Sequence, residues 1–464
     1  MNVRYRGHLA GHDVQTVFAW HERPGALERL TPPWGEVEVL ERSGGIRDGA
    51  RIKLRVHGGP ASFTWELRHR DFQQNRQFVD EQVSGPLESW VHTHGFRPGE
   101  DGGTVLEDSI EVEPPLGSAG KLLAPGFIER ELDRLFAFRY RRLQTDLDHH
   151  AAHSDKPPRT VAITGSSGMV GSALRHFLTS GGHRVLRVVR HREELADDAL
   201  LWRPREGEID VTRLAEADAV IHLAGEPIAE GRWSDEKRER ILQSRVQGTE
   251  LLARAVAEAE IGTLVSMSAV GFYGDRGEER LDEGSPSGRG FLAEVARAWE
   301  GATAVAERAG VRGVHARAGV VLSPAGGALG KMLLPFKVGA GGRLGSGKQY
   351  VSWVDLDDVV GLLHHALMSE GLEGPLNLTG PNPVPNATFT SALGRALGRP
   401  TVIPVPGLAV KALFGQLGEE ALLQGQRVLP RKALESGYVF AHDGVEDSLR
   451  FQLGKQKESP RVED

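Results

Sequence analysis

The chain has 464 residues, of which 39% are hydrophobic and 26% charged, and a formal net charge of −7. Such a length exceeds what one hydrophobic core usually supports, so at least two domains are expected. The acidic balance speaks against nucleic acid as a partner, and the lack of cysteine excludes disulfides, thiolate catalysis and cysteine-bound metal.

Met1 to Leu9 carry Arg4, Arg6 and His8 and no signal-peptide core, and no later run reaches membrane-spanning length, so a cytoplasmic protein is expected. Period-two alternation then predicts strands over Glu36–Leu40, Arg51–Val56 and Ser62–Leu67, each burying one face. From Gly126 to Leu147, Phe127, Ile128, Leu132, Leu135, Phe136, Phe138 and Leu143 recur at mostly helical spacing, which predicts an amphipathic helix closing a curved sheet. Arg139, Arg141 and Arg142 on it read as a solvated face. Residues 1–148 are thus an expected α+β domain.

Residues 149–158 lack periodicity and end in Pro157-Pro158, which marks a linker. His149, His150 and His153 invite a metal, but a tract without fixed geometry argues against one, and no metal site is assigned. Beyond it, strands are predicted over Thr160–Thr164, Arg184–Val189, Ala219–Leu223, Thr263–Met267 and Gly313–Ala316, most of them separated by helical patterns. The expected architecture is a doubly wound parallel sheet over 159–400. Helices around Ala409–Leu413 and Glu419–Gln424 belong to a small C-terminal domain, 401–450, followed by a tail, 451–464.

Thr160-Val161-Ala162-Ile163-Thr164 leads into Gly165-Ser166-Ser167-Gly168-Met169-Val170-Gly171 and then a helix whose apolar face is Leu174, Phe177 and Leu178. Glycines stand where the chain turns sharply, where the backbone approaches a pyrophosphate and where helix packs on strand. The helix start offers unpaired N–H groups to the anion. At the end of the second strand, where NAD enzymes place an acid on the ribose 2′-hydroxyl, this chain has Arg190 after Val189. A guanidinium takes a 2′-phosphate through two parallel hydrogen bonds, which favours NADP(H), with Arg187 and Arg192 as helpers. Leu223, Ala224 and Gly225 form the turn after a buried strand, with Leu223 and Ala224 placed beside the adenosine. His222 is a proton-donor candidate, the alternative being a strand-end histidine satisfied by its neighbours. Arg245, in Ser244-Arg245-Val246-Gln247-Gly248-Thr249, is a candidate phosphate ligand.

These segments, together with His222-Leu223-Ala224-Gly225-Glu226-Pro227-Ile228, Arg232-Trp233, Ser268-Ala269-Val270-Gly271-Phe272-Tyr273-Gly274 and Trp353-Val354-Asp355, resemble the NAD-dependent epimerase/dehydratase-like family of extended short-chain dehydrogenases, and within it the epimerase family proteins. The resemblance runs from Arg159 to about Leu449. It implies a Rossmann domain with a small C-terminal cap and an NADP site formed by Gly165, Ser167, Gly168, Met169, Val170 and Gly171 with Val189, Arg190, Leu223, Ala224, Gly225, Arg245 and Val321. The N-terminal part resembles the SRPBCC or START-like helix-grip fold by pattern, which implies an apolar cavity and an apolar ligand.

Short-chain dehydrogenases use a tyrosine, a lysine four residues later and a serine; the lysine lowers the tyrosine pKa so that it exchanges a proton near neutrality. Ser268 fits the serine. Phe291 and Val295 occupy the other two places and move no proton. Tyr273 is the remaining acid/base candidate, with packing as its default role. Two functions follow: an NADP(H)-dependent oxidoreductase or epimerase of a small carbonyl or sugar-like substrate that lacks the usual Tyr–Lys pair, or a non-catalytic NADP(H)-linked sensor or hydrophobic-ligand-binding protein.

Overall fold

The computed structural model describes residues 1–58, 61–114, 118–229, 231–456 and 458–462. The chain divides into two units, one of residues 1–152, 179–182 and 450–464 and one of residues 153–178 and 183–449. No helix among the described residues is long and apolar enough to cross a membrane.

The first unit is an antiparallel sheet of seven strands: β1 (Asn2–Leu9), β2 (Glu36–Ser43), β3 (Arg51–Gly58), β4 (Ala61–Gln73), β5 (Gln77–Ser84), β6 (Ser89–Pro98) and β7 (Thr104–Glu113). Their order is β1-β7-β6-β5-β4-β3-β2. Helices α1 (Val14–Glu22) and α2 (Ala26–Leu30) follow β1, and α3 (Ser118–Ala151) follows β7. Alternation in β1 buries Val3, Tyr5 and Leu9. Leu132 and Phe136 of α3 pack with Val3, Tyr5 and Ile110, while Leu143 and Leu147 pack with Leu9, Phe18 and Leu106. Tyr5 and Phe136 stack at 4.3 Å. Gly7 admits the helix closely, since a Cβ there would lie 2.6 Å from the Tyr140 ring. This is the helix-grip arrangement expected of a START-like domain.

Three features of this unit differ from the sequence reading. The long helix runs to Ala151, so His149 and His150 sit in its last turn rather than in a loop. Arg142 is buried, its guanidinium 4.6 Å from the Phe138 ring, so the arginine stripe is not a solvated face. The C-terminal segment read as a tail pairs with the edge of β1: Arg6 N–H donates to Pro460 O at 3.0 Å and Val462 N–H to Arg4 O at 3.0 Å. Covering that edge removes an unpaired row of backbone groups.

The second unit carries the strands β8 (Thr160–Thr164), β9 (Arg184–Val189), β10 (Ala199–Arg203), β11 (Glu208–Ile209), β12 (Ala219–His222) and β13 (Thr263–Ala269), then Arg312–Ala318 and Gly374–Leu378. The order is β11-β10-β9-β8-β12-β13 followed by the last two in turn, parallel except for β11. Side chains of β8 divide between two cores. Val161 and Ile163 join Leu174, Phe177 and Leu178 of α4 (Met169–Ser180), while Ala162 joins Leu252 and Val256 of the helix Asp235–Glu258. Each fully buried aliphatic side chain of this kind stabilises by roughly 1.5–3 kcal/mol. Chain direction across the sheet reverses at β8 and β12, and ligands of such sheets bind outside the carboxyl ends at that switch point.

Candidate functional site

Two loops meet at the switch point: 165–168 after β8 and Leu223-Ala224-Gly225 after β12. Gly165 has φ +67°, a left-handed conformation that favours glycine, and a Cβ on it would lie 3.1 Å from Ala224 N. At Gly171, in the first turn of α4, a Cβ would fall 2.1 Å from Gly165 O. The turn closes with Gly168 N–H donating to Gly165 O at 3.0 Å, and Ser172 N–H to Gly168 O at 2.8 Å starts the helix. Ser167 and Gly168 are exposed at its tip, with Met169 and Val170 half-buried behind. Gly327 faces both Met169 and the carbonyl of Val321, so Val321 lies by the same loop.

Thr164 links the two loops. Its hydroxyl oxygen accepts from Leu223 N–H (3.0 Å) and Ala224 N–H (3.2 Å), so its own proton is directed to His222 Nδ1 at 2.7 Å. His222 Nε2–H then donates to Thr249 at 3.0 Å. Burial, reinforced by Arg245, lowers the His222 pKa to about 3. This histidine is neutral at physiological pH with both nitrogens taken, so it is a framework residue and not a proton donor.

Arg190 follows the buried Val189, is exposed, and makes no ion pair among the described residues. Of its two expected helpers, Arg187 is engaged by Asp198 through a bidentate pair at 2.8 and 2.7 Å. Arg192 pairs with Glu208 at 2.9 Å. The helper role is therefore withdrawn for both, because local carboxylates already satisfy them. Arg245 lies beside Gly225 and over the Trp299 ring at 4.7 Å, and donates to Glu226 O and Ile241 O at 3.1 Å. Burial lowers its pKa to about 10, which still leaves it charged at pH 7.

Ser268, Arg317 and Asn377 are partners in register across three adjacent parallel strands. Ser268 donates to Glu300 at 2.7 Å, and Arg317 grips the same carboxylate through Nε and Nη2, both at 2.8 Å. Arg317 Nη1 donates to the Tyr273 hydroxyl at 2.9 Å, and that hydroxyl donates to Asn377 at 2.7 Å. Tyr273 is fully buried, and its pKa is raised, chiefly by burial. A tyrosine with its oxygen enclosed and its proton held more tightly is a packing residue here, which corrects the acid/base candidacy. Glu300, Arg317 and Asn377 received no role in the sequence reading; a charged residue in the buried stretch after Gly313–Ala316 was an available signal.

Breaking the buried Arg317–Glu300 pair from one side strands a charge. Arg317→Met is expected to destabilise the protein by about 3 kcal/mol in denaturant unfolding. A loss below about 1 kcal/mol would show that the pair bears little load.

Phe291 and Val295 begin the helix Phe291–Gly301. Val295 is buried, and Phe291 packs edge-on against Trp233 at 5.2 Å. Phe291 also lines a cleft of about 710 Å³ with Asp235, Arg238, Glu294, Gln416 and Glu420. Glu420 caps this helix, accepting from Phe291 N–H at 3.3 Å and Leu292 N–H at 3.0 Å. Negative charge at a helix start is favourable.

Residues 161–377 match the NAD dependent epimerase/dehydratase family. An epimerase family protein of Mycobacterium bovis is 47% identical over 291 residues, covering 63% of this chain and 96% of that protein. The chain belongs to the epimerase family. Human epimerase family protein SDR39U1, whose structure was solved with NADPH, is a second such relative: 34% identity, TM-score 0.57, 63% of this chain and 99% of that one. As an epimerase family member the chain also carries residues 405–451, which match a domain of unknown function, and residues 10–138, which match the polyketide cyclase/dehydrase and lipid transport family. A nucleoside-diphosphate sugar epimerase from Corynebacterium glutamicum is similar over 97% of this chain and 90% of its own, at 34% identity and TM-score 0.81.

Proposed function

We propose that this chain binds NADP(H) at the switch point and acts as an oxidoreductase or epimerase on a small carbonyl or sugar-like substrate. The observation that carries the reading is the cradle of Gly165, Gly168 and Gly171, where a side chain at Gly171 would collide with backbone and those at Gly165 and Gly168 would crowd it, together with an Arg190 that no carboxylate engages among the described residues. These residues fit a dinucleotide: the glycine turn and the start of α4 take the pyrophosphate, Arg190 a 2′-phosphate, Leu223 and Ala224 the adenosine. Arg245, charged and close to Gly225, takes a second phosphate oxygen. The solved NADPH complex of the human relative supports the choice. When bound, the nicotinamide supplies or accepts a hydride.

The chain's own part in proton handling differs from the usual pair. Ser268, itself buried, commits its proton to Glu300, so its oxygen is left as an acceptor, and Arg317 keeps Glu300 in place. Phe291 and Val295 contribute shape only. With a panel of carbonyl and sugar-nucleotide substrates, Ser268→Ala is expected to lower kcat about 100-fold with NADPH affinity unchanged. No turnover of any substrate, or no effect of the substitution, would remove the catalytic reading.

A second reading, a non-catalytic NADP(H)-linked sensor, is favoured by one observation: the Tyr273 hydroxyl is enclosed by Arg317 and Asn377. In that case NADPH changes the affinity of the full chain for an apolar probe, and by linkage the probe changes NADPH affinity by the same factor. Equal affinities with and without NADPH would end this alternative.

A further inference from the structure

The concave face of the N-terminal sheet is not uniformly apolar. On β6, Trp90, His92, His94 and Phe96 alternate onto one face, and the register sets His92 opposite Asp80 of β5 and His94 opposite Asp108 of β7. The four charged or titratable side chains close a ring. His92 Nδ1 and His94 Nε2 lie 3.4 and 2.9 Å from Asp80 Oδ2, while His92 Nε2 and His94 Nδ1 lie 2.8 and 3.0 Å from Asp108 Oδ1.

The two sides of the ring differ. On the Asp108 side the contacts are short, and Tyr140 donates to the other carboxylate oxygen at 2.5 Å, which orients that carboxylate toward both imidazoles. On the Asp80 side His94 keeps hydrogen-bond distance at 2.9 Å, while His92 stands back at 3.4 Å. Ligands held roughly 2.0–2.1 Å from one ion stand roughly 2.9 Å apart at right angles and 3.4 Å apart at the tetrahedral angle. The observed separations of 2.9 and 3.4 Å are compatible with that spacing, the shorter being also that of a hydrogen bond. Trp90 Nε1–H holds the remaining oxygen, Asp80 Oδ1, at 3.0 Å.

A further buried histidine stands beside the ring. His69 stands opposite Asp80 in β4, on the same face of the sheet, and is 9% exposed. Its Nδ1 has no hydrogen-bond partner among the described residues, and Asp80 and His94 are the charged groups that act on it. A buried nitrogen without a partner costs free energy, so such a group calls for an explanation.

We propose that Asp80, His92 and His94 bind one divalent transition-metal ion of the zinc class, oriented from behind by Asp108 and Tyr140. Two imidazoles and one carboxylate are a donor set suited to Zn2+, Co2+ or Fe2+, and three protein ligands leave a position for a water or a ligand oxygen. Each imidazole gives its second nitrogen to Asp108, the carboxylate–histidine–metal arrangement that fixes tautomer and ring orientation. The site lies in the domain that matches the polyketide cyclase/dehydrase and lipid transport family, whereas the glycine cradle belongs to the other unit.

The test uses the full chain, stripped with chelator and titrated with Zn2+ against a chromophoric competitor, with crystals of the zinc-loaded protein measured at the zinc absorption edge. One Zn2+ per chain is expected, with affinity at least 100-fold lower in Asp80→Asn and His94→Gln, about 10-fold lower in Tyr140→Phe, and unchanged in a His149→Gln/His150→Gln control. An anomalous peak between Asp80, His92 and His94 supports the site even where a variant fails to fold. No stoichiometric zinc, a peak elsewhere, or affinity lost only in the His149/His150 control would overturn it.

Discussion

Gly171→Ala is expected to destabilise the Rossmann unit by about 2 kcal/mol and to weaken NADPH binding by at least about tenfold. Helix propensity alone predicts the opposite sign, since alanine inside a helix is favoured over glycine by about 1 kcal/mol. The deciding quantity is the 2.1 Å between the added methyl and Gly165 O, a contact with backbone that cannot swing aside. Relief requires the 165–168 turn and the start of α4 to separate, and those groups are the proposed pyrophosphate cradle. Thermal unfolding and a fluorescence titration with NADPH check the two halves of this prediction. A variant more stable than the parent would mean that the close approach is absent in solution.

Arg190→Asp is expected to reverse the cofactor preference. Loss of a charge-assisted bidentate pair costs about 2 kcal/mol, roughly 30-fold, and the new carboxylate repels a 2′-phosphate while it accepts from a ribose 2′-hydroxyl. The effect is local because Arg190 makes no ion pair among the described residues whose loss would disturb the fold. Arg187→Ala, in contrast, removes a surface pair with Asp198 and should leave the NADPH/NADH ratio unchanged. An unchanged ratio in Arg190→Asp would refute the assignment of Arg190.

Much of the Rossmann unit was legible because its signals are local. The strand Thr160–Thr164, the glycine turn and the apolar face of α4 occupy one continuous stretch, and Arg184–Val189 follows with the predicted bounds. The strand Ala199–Arg203 went unseen: five residues, four of them buried without alternation, do not separate from a short helical turn. In the N-terminal unit, β6 was hidden because His92 and His94 occupy inward positions where an apolar pattern is sought. Long-range partnering was not legible at all. Ser268, Glu300, Arg317 and Asn377 are brought together by strand register and by a helix, and nothing near any one of them in sequence names the others. Arg187 shows the converse, where Asp198, eleven residues on, takes a guanidinium that the local pattern had offered to a phosphate.

The enclosed Tyr273 and the apolar Phe291 and Val295 separate holding a cofactor from using it, so binding comes first. Equilibrium titration of the full chain with NADPH and with NADH, at one ionic strength, tests it most directly. Saturable binding of NADPH is expected, tighter than that of NADH by at least about tenfold. Equal affinity for the two, or no binding of either, would contradict it.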